Sequence, residues 1–213
     1  MYKIAFYSIV FLLISCNYNK QEKHFNEENL IKAEDVGEYH SLLNDAIKIF
    51  LPVGFRELSE SEIQIFIDSI KVEEHRDYFK KSYEMRKFIS NNYYNFYNQE
   101  YESEIQVTTI PYTPFDRSSA SQLLYLLRKE YEKYEEITGI SHSKITAKYL
   151  GTHSLQVFKA IYLLSNNSDN KNSELQLFKT VYIISSNNKS FILNVMTPFE
   201  FDFDPFVRKT KFQ

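Results

Sequence analysis

The chain is poor in the residues that most directly mark chemistry: of 213 residues one is Cys, four are Gly and none is Trp. A single sulfur excludes intramolecular disulfides, Cys-based zinc patterns and redox pairs, each of which needs at least two. Phosphate-cradling loops need closely spaced glycines so that backbone N–H groups can reach the anion. Neither G-x-G-x-x-G nor G-x-x-x-x-G-K-[ST] occurs, which argues against the common nucleotide enzymes. Excess positive charge is lacking too. A net charge of −3 argues against nucleic acid, whose phosphates demand a basic surface. G-x-S-x-G and H-E-x-x-H are both absent. What the chain has instead is 17 Tyr, 18 Phe and 43% hydrophobic residues, a composition suited to one folded domain. Its use of Lys, Asn, Ile, Phe and Tyr at the expense of Ala and Gly follows AT-rich codons, as in an AT-rich bacterium.

The most informative stretch is the first. Lys3 precedes Ile4 to Ile14, a run whose only polar groups are Ser8 and the Tyr7 hydroxyl. At ~1.5 Å per residue such a run reaches about half of a ~30 Å hydrocarbon core, so it does not span as a helix. A basic head, a short apolar middle and a small residue at the end are the parts of a secretory signal. Its close, Leu13-Ile14-Ser15-Cys16, resembles the bacterial lipobox, and the only Cys of the chain stands where that motif acylates its cysteine. The resemblance implies residues 1–15 as a signal peptide, Cys16 as the lipidation site, and a cell-envelope location with the acyl chains in the membrane. Asn17 is not the Asp that retains such proteins in the inner membrane, which favours the outer one. Residues 16–40 read as a lipidated N-terminus and a flexible tether, because their apolar residues are too sparse to offset chain entropy.

Residues 41–213 read as one globular domain. Ile47 to Pro52 alternates as a strand stopped by proline, and Gly54 permits a turn. Ser59-Glu60-Ser61-Glu62 is a capping box, followed by Ile63, Phe66, Ile67 and Ile70 at helical spacing. A second helix is expected over about 74–89, with Tyr78, Phe79, Met85, Phe88 and Ile89 as its apolar side. Glu104 to Ile110 alternates as a half-buried strand. Ser118 or Ser119 then caps a helix with Leu123, Leu124, Leu127, Tyr131 and Tyr134 on one stripe, closed by Gly139. Four β-rich runs follow, over 143–150, 154–164, 174–185 and 190–196, and their short polar connections imply antiparallel hairpins. Asp204-Pro205 reads as an N-cap and a first helical proline. This order predicts an α+β fold: an antiparallel sheet of about six strands covered by helices, an α/β/α sandwich.

On the residues IFLPVGFRELSESE, VYIISSNNKSFILNV and DFDPFVRKTKF the domain resembles the Mog1/PsbP-like group of small sandwich domains. The resemblance covers about residues 44–213. It implies an assembly or binding scaffold and carries no active-site residues onto this chain.

Candidate chemistry is thin. Glu73-Glu74-His75-Arg76-Asp77 reads as a solvated helix start favoured by the helix dipole. His40, His142 and His153 lack the spacing of a metal site, and His24 stands alone in the tether. Glu200, Asp202 and Asp204 alternate with Phe199, Phe201 and Phe203, which reads as rings on the sheet with acids in water. Tyr93, Tyr94, Phe96, Tyr97 and Tyr101 could stack on a partner, but residues 91–104 carry three Glu and no Lys or Arg, so nucleic acid is disfavoured. The sequence therefore leads to no catalytic, metal or cofactor residue. It points to a non-enzymatic envelope lipoprotein that binds a protein partner, as an accessory subunit or an immunity-type protein. The alternative is a lipid-anchored hydrolase, which would need polar side chains converging in one pocket.

Overall fold

A computed structural model describes residues 36–43, 46–89, 92–152, 154–166 and 177–213. The signal, Cys16, His24, His153 and most of the 167–176 loop lie outside them.

Among the described residues two β-sheets and four helices form an α+β sandwich. The large sheet has seven antiparallel strands, against the six or so expected: β3 (Arg56–Glu57), β4 (Tyr93–Asn98), β5 (Ser103–Ile110), β6 (Ile140–Tyr149), β7 (Gln156–Asn166), β8 (Leu177–Ser186) and β9 (Lys189–Thr197). They are ordered β3-β4-β5-β9-β8-β7-β6. The last four form the expected meander, and Asn187 and Asn188, at φ 47° and 58°, supply the left-handed pair that a tight hairpin between β8 and β9 requires. The small sheet joins β1 (Gly37–Leu42), β2 (Ile47–Pro52) and β10 (Lys211–Phe212) in the order β1-β2-β10.

The first described strand thus begins before residue 41. Gly37 to His40, read as the end of the tether, are the first part of β1, and Tyr39 and His40 pair with Phe50 and Ile49. A pairing partner some ten residues downstream overrides the polar composition of this segment.

The helices are α1 (Glu60–Ser69), α2 (Glu73–Ile89), α3 (Ala120–Thr138) and α4 (Asp204–Arg208). The capping box at Ser59 forms as its spacing predicts: the hydroxyl accepts from Glu62 N and the Glu62 carboxylate accepts from Ser59 N. Backbone and hydroxyl bonds from Ser59, with Arg56 beside it, hold the Glu62 carboxyl at about 2. Helix α3 starts differently. Ser119 makes no side-chain cap bond, and the Asp116 carboxylate instead accepts from Ser119 N and from the Ser118 hydroxyl. Gly139 ends the helix at φ 70°. On α2 the buried side is His75, Tyr78, Phe79 and Tyr83, while Met85 and Phe88, expected to be covered, are 63% and 89% exposed.

Each face of the large sheet has its own core. One packs Phe96, Ile105, Val107, Tyr182, Leu193 and Val195 against Ile47, Ile49 and Leu51 of β2 and against Phe203 and Phe206. The other packs Phe158, Ala160, Tyr162, Val181 and Ile183 against Leu127 and Tyr131 of α3. In the first core a charge is buried. Lys159 is 7% exposed, and its ammonium donates to Asp202 at 2.9 Å and Asp204 at 2.7 Å. The Tyr182 hydroxyl also donates to Asp204, at 2.7 Å. Burial pushes the Tyr182 phenol upward, and its bond to Asp204 adds to this. Partial burial is the largest single effect and raises the Asp202 carboxyl, yet the bond to Lys159, the bond from the Asp204 N–H and the Lys159 charge together outweigh it and leave it below its ordinary range.

The reading of acids in water is therefore corrected at one of three positions. Glu200 and Asp202 are exposed, Asp202 while also bonding Lys159, but Asp204, with its side chain 17% exposed, is drawn in to the buried cation. Phe203 takes the N-cap position of α4, with no side-chain cap bond, and Asp204 lies one residue inside. The rings behave as expected, Phe203 fully buried and Phe199 and Phe201 partly so.

Replacing Lys159 by Met should lower the unfolding free energy at neutral pH by about 3 kcal/mol, because two carboxylates lose their counter-charge beside an apolar core. Adding Asp202→Asn and Asp204→Asn should recover most of that loss. Urea denaturation measures both, and a Lys159→Met effect under about 1 kcal/mol would show that the cluster contributes little.

Candidate functional site

The face of the large sheet under the helices is apolar at β7 and β8 and polar at β4 and β5. Glu104 to Ile110 alternates as expected, but the strand is covered on both sides. Ile105 and Val107 enter the core with β2, and Glu104 and Gln106 point beneath the helices instead of into water. Asn95 and Gln106 occupy paired positions on β4 and β5. The Glu104 Oε1 accepts from Asn95 Nδ2 at 2.7 Å and from Gln106 Nε2 at 2.9 Å. With its amide nitrogen turned to a carboxylate, Asn95 presents its carbonyl the other way, and Oδ1 is buried without a hydrogen-bond partner.

Above this cluster is a cavity of about 120 Å³ between the sheet and α1, α2 and α3. Its walls are mainly rings, among them Tyr78, Phe79, Tyr83, Tyr131 and Tyr134, and its polar groups include Glu104, Lys179 and His142. A second cavity of about 360 Å³ lies between α3 and β6, and Tyr131 and His142 line both. These two residues make the partition. The His142 ring is stacked on Tyr131 with centroids 4.3 Å apart and planes 13° apart, and the Tyr134 ring stands edge-on at 5.3 Å. The Lys179 ammonium lies 4.5 Å from the Tyr131 centroid.

This environment decides the chemistry of His142. Burial is the larger cause and the nearby Lys179 charge the second, and together they bring its pKa down to about 3. Its Nδ1 lies 3.2 Å from Ile140 O and, facing a carbonyl, is the protonated nitrogen. An imidazole so reluctant to take a proton is a poor general base near pH 7, where catalysis wants a group poised to exchange. The arrangement suits binding a small group against rings and a fixed carboxylate better than acid–base chemistry.

The other histidines do not join it. His40 sits edge-on to Phe96 at 4.9 Å, on the opposite face of the sheet, and burial lowers its pKa against the opposing pull of Glu38. His75, read as solvated, is 8% exposed, and its Nε2 donates to Ile137 O at 3.0 Å. The same helical spacing that buries Tyr78 and Phe79 buries it. Among the described residues no group of three or more His, Cys, Asp and Glu is placed to hold a metal. Tyr93 to Tyr101 is mainly packing: Phe96 and Tyr97 are buried, and Tyr101 stands edge-on to Phe199. Sequence reasoning missed Asn95, Glu104, Gln106 and Lys179. The available signal was a strand whose first two outward positions, Glu104 and Gln106, are a long acid and a long amide, next to helices rich in rings.

No protein-family profile and no curated protein matches the chain. Among solved structures it is similar to the solution structure of cyanobacterial PsbP (CyanoP) from Synechocystis, with a TM-score of 0.55 over 84% of this chain and 93% of that one, at 9% identity. The fold is therefore PsbP-like. At that identity the likeness concerns the scaffold alone.

The His142 environment predicts a pH dependence. Its folded pKa lies below the unfolded value of about 6.5, so between those two values the unfolded chain binds the extra proton. Stability from this group is complete above about pH 6.5 and is lost as pH falls toward 3. Between pH 7 and pH 4 the loss should be roughly 3 kcal/mol. Urea melts of His142→Phe, which keeps a ring but not the titration, should show a shallower decline than the unaltered chain; parallel curves would contradict this.

Proposed function

We propose that this protein is an envelope lipoprotein, anchored through Cys16 after removal of residues 1–15, whose PsbP-like domain binds a protein partner without catalysing a reaction. The observation that carries the reading is the leader itself: a basic head, an apolar run too short to span, and Leu13-Ile14-Ser15 before the one cysteine. Among the described residues no helix is long and apolar enough to cross a membrane, so acyl chains on Cys16 would provide the attachment. At ~0.8 kcal/mol per buried CH₂, two chains anchor where one would be marginal. The tether from Cys16 to Val36 keeps the domain within ~25 Å of the bilayer, taking ~5–6 Å times the square root of its length. The outer membrane is the favoured address, since Asn17 is not the inner-membrane signal.

Support for binding over catalysis comes from the ring-lined cavity with its neutral His142. One observation favours a second reading, a lipid-anchored hydrolase: Glu104, Lys179 and His142 do gather at a single cavity. Purification of the tagged protein from its host under mild crosslinking separates the two, with a stoichiometric envelope complex or a cognate toxin supporting the first. Esterase or glycosidase activity abolished by Glu104→Gln would support the second.

Mass spectrometry of the protein from its native host should find residues 1–15 missing and a lipid mass on Cys16. Cys16→Ala should move it from the membrane to the soluble fraction. An unmodified Met1 N-terminus would overturn the anchoring.

A further inference from the structure

The small sheet presents an unusual outer face. Paired residues of an antiparallel ladder point to the same side, so Tyr39, Ser41, Lys48, Phe50 and Lys211 share one face, on which Phe50 is buried against Phe206 of α4, while Ile47, Ile49 and Leu51 share the other and enter the core directly. Glu38, the one acidic residue of these three strands, falls on the core side of the ladder with His40 and Leu42. Aromatic rings underlie the cations. The Lys211 ammonium lies 4.0 Å from the Tyr39 centroid, and the Lys209 ammonium 4.7 Å from that of Phe50. Tyr39 and Phe50 are themselves in contact at 5.0 Å, and the Tyr39 hydroxyl donates to Lys209 O at 3.3 Å. Tyr39 is 42% exposed. Lys48, Lys209 and Lys211 thus form a basic, ring-floored surface on a chain whose net charge is −3.

Its position gives it meaning. The face includes β1, the strand that directly follows the N-terminal segment, and Val36 at the junction is 58% exposed. The chain from Cys16 therefore enters the domain through a strand of this face.

We propose that the outer face of the β1-β2-β10 sheet docks on anionic phospholipid headgroups, with Lys48, Lys209 and Lys211 as the contacting cations and Tyr39 at the interface level. The inference rests on the lipoprotein reading for the nearness of a membrane. The chemistry is that of a second, electrostatic signal beside a lipid anchor: lysines near an anionic surface each multiply partitioning by about fivefold at low salt, and Tyr places a ring at headgroup depth with its hydroxyl in water. Anchor and face would then do separate work, the first fixing distance and the second orientation.

The test uses the chain from residue 16 onward with Cys16→Ser, so that no acyl chain contributes. Its cosedimentation with vesicles of phosphatidylcholine alone is compared with vesicles of phosphatidylcholine and phosphatidylglycerol in equal parts. Binding is expected on the anionic vesicles only, falling as salt rises past the point where the Debye length drops below ~10 Å. Lys48→Gln, Lys209→Gln and Lys211→Gln combined should reduce it on the order of 100-fold, and arginine at the same three positions should restore it. Equal binding to both vesicle types, no binding to either, or a triple variant indistinguishable from the parent in an unchanged salt series would each overturn the proposal. The salt series needs no substitution and so stands even if a variant folds poorly. Loss of vesicle binding alongside a lipid mass on native Cys16 defeats the docking face alone. Vesicle binding without that mass leaves the face intact and defeats the anchor.

Discussion

The architecture depends on one buried cation. Lys159 sits in the middle of β7 on the face of the large sheet that α1, α2 and α3 do not cover, paired with Tyr182 of β8. An ammonium there carries a desolvation cost of several kcal/mol unless anions come to it, and the anions are Asp202 and Asp204, more than 40 residues downstream. Bringing them in carries Phe203 and Phe206 into the core that β2 shares with the large sheet, places α4 against β2, and leaves the chain positioned for β10 to pair with β2. The uncovered face is thus closed by both chain ends meeting, β1 and β2 from one and α4 and β10 from the other. Such a cluster contributes less to net stability than apolar side chains of the same volume would. What it gives is specificity, since only one placement of the C-terminal segment puts two carboxylates on one ammonium.

Coverage of both faces also explains why a polar cluster lies inside the domain. In a half-buried strand the polar positions of Glu104 to Ile110 would face water. Here α1 and α2 approach that side mainly through rings, Phe66, Tyr78, Phe79 and Tyr83, which are too bulky and rigid to fill the space above the β4 and β5 side chains. Glu104 is consequently surrounded, one oxygen taken by two amides, and the remaining volume is a cavity. The stacked Tyr131 and His142 divide it from its neighbour beside β6. Moving that pair would join the two cavities, so the aromatic partition and not the backbone sets the size of what can enter.

Local rules were legible wherever the information was local. The Ser59 box, Gly139, the Asn187-Asn188 turn and the late meander follow from spacing and from backbone preferences that act within a few residues. What could not be read was decided by distant partners. Gly37 to His40 has tether-like composition and becomes a strand because β2 is there to pair with it. Asp204 resembles an N-cap and becomes a counter-ion because Lys159 is buried. Met85 and Phe88 carry an apolar pattern that the end of α2 does not cover. The cavity residues form no motif because they come from four segments, and each alone looks like an ordinary surface polar group.

A scaffold shared at 9% identity with a cyanobacterial PsbP leaves function to the features that the scaffold does not determine. Here these are the N-terminal segment, proposed above as leader and tether, and the two outer layers, whose arrangement is directional. The small sheet with its lysines lies on one side of the large sheet and α1, α2 and α3 lie on the other, with Ile65, Met85 and Phe88 exposed on the first two helices. If the small sheet rests on headgroups, the helical layer is turned away from the bilayer, and these apolar side chains and the cavity mouth are offered to whatever stands further from the membrane. A tether alone would let the domain tumble, and a partner site would then face every direction in turn. Adding a weak electrostatic face converts tethering into orientation, because an anchor already supplies the high local concentration that makes a few exposed lysines effective.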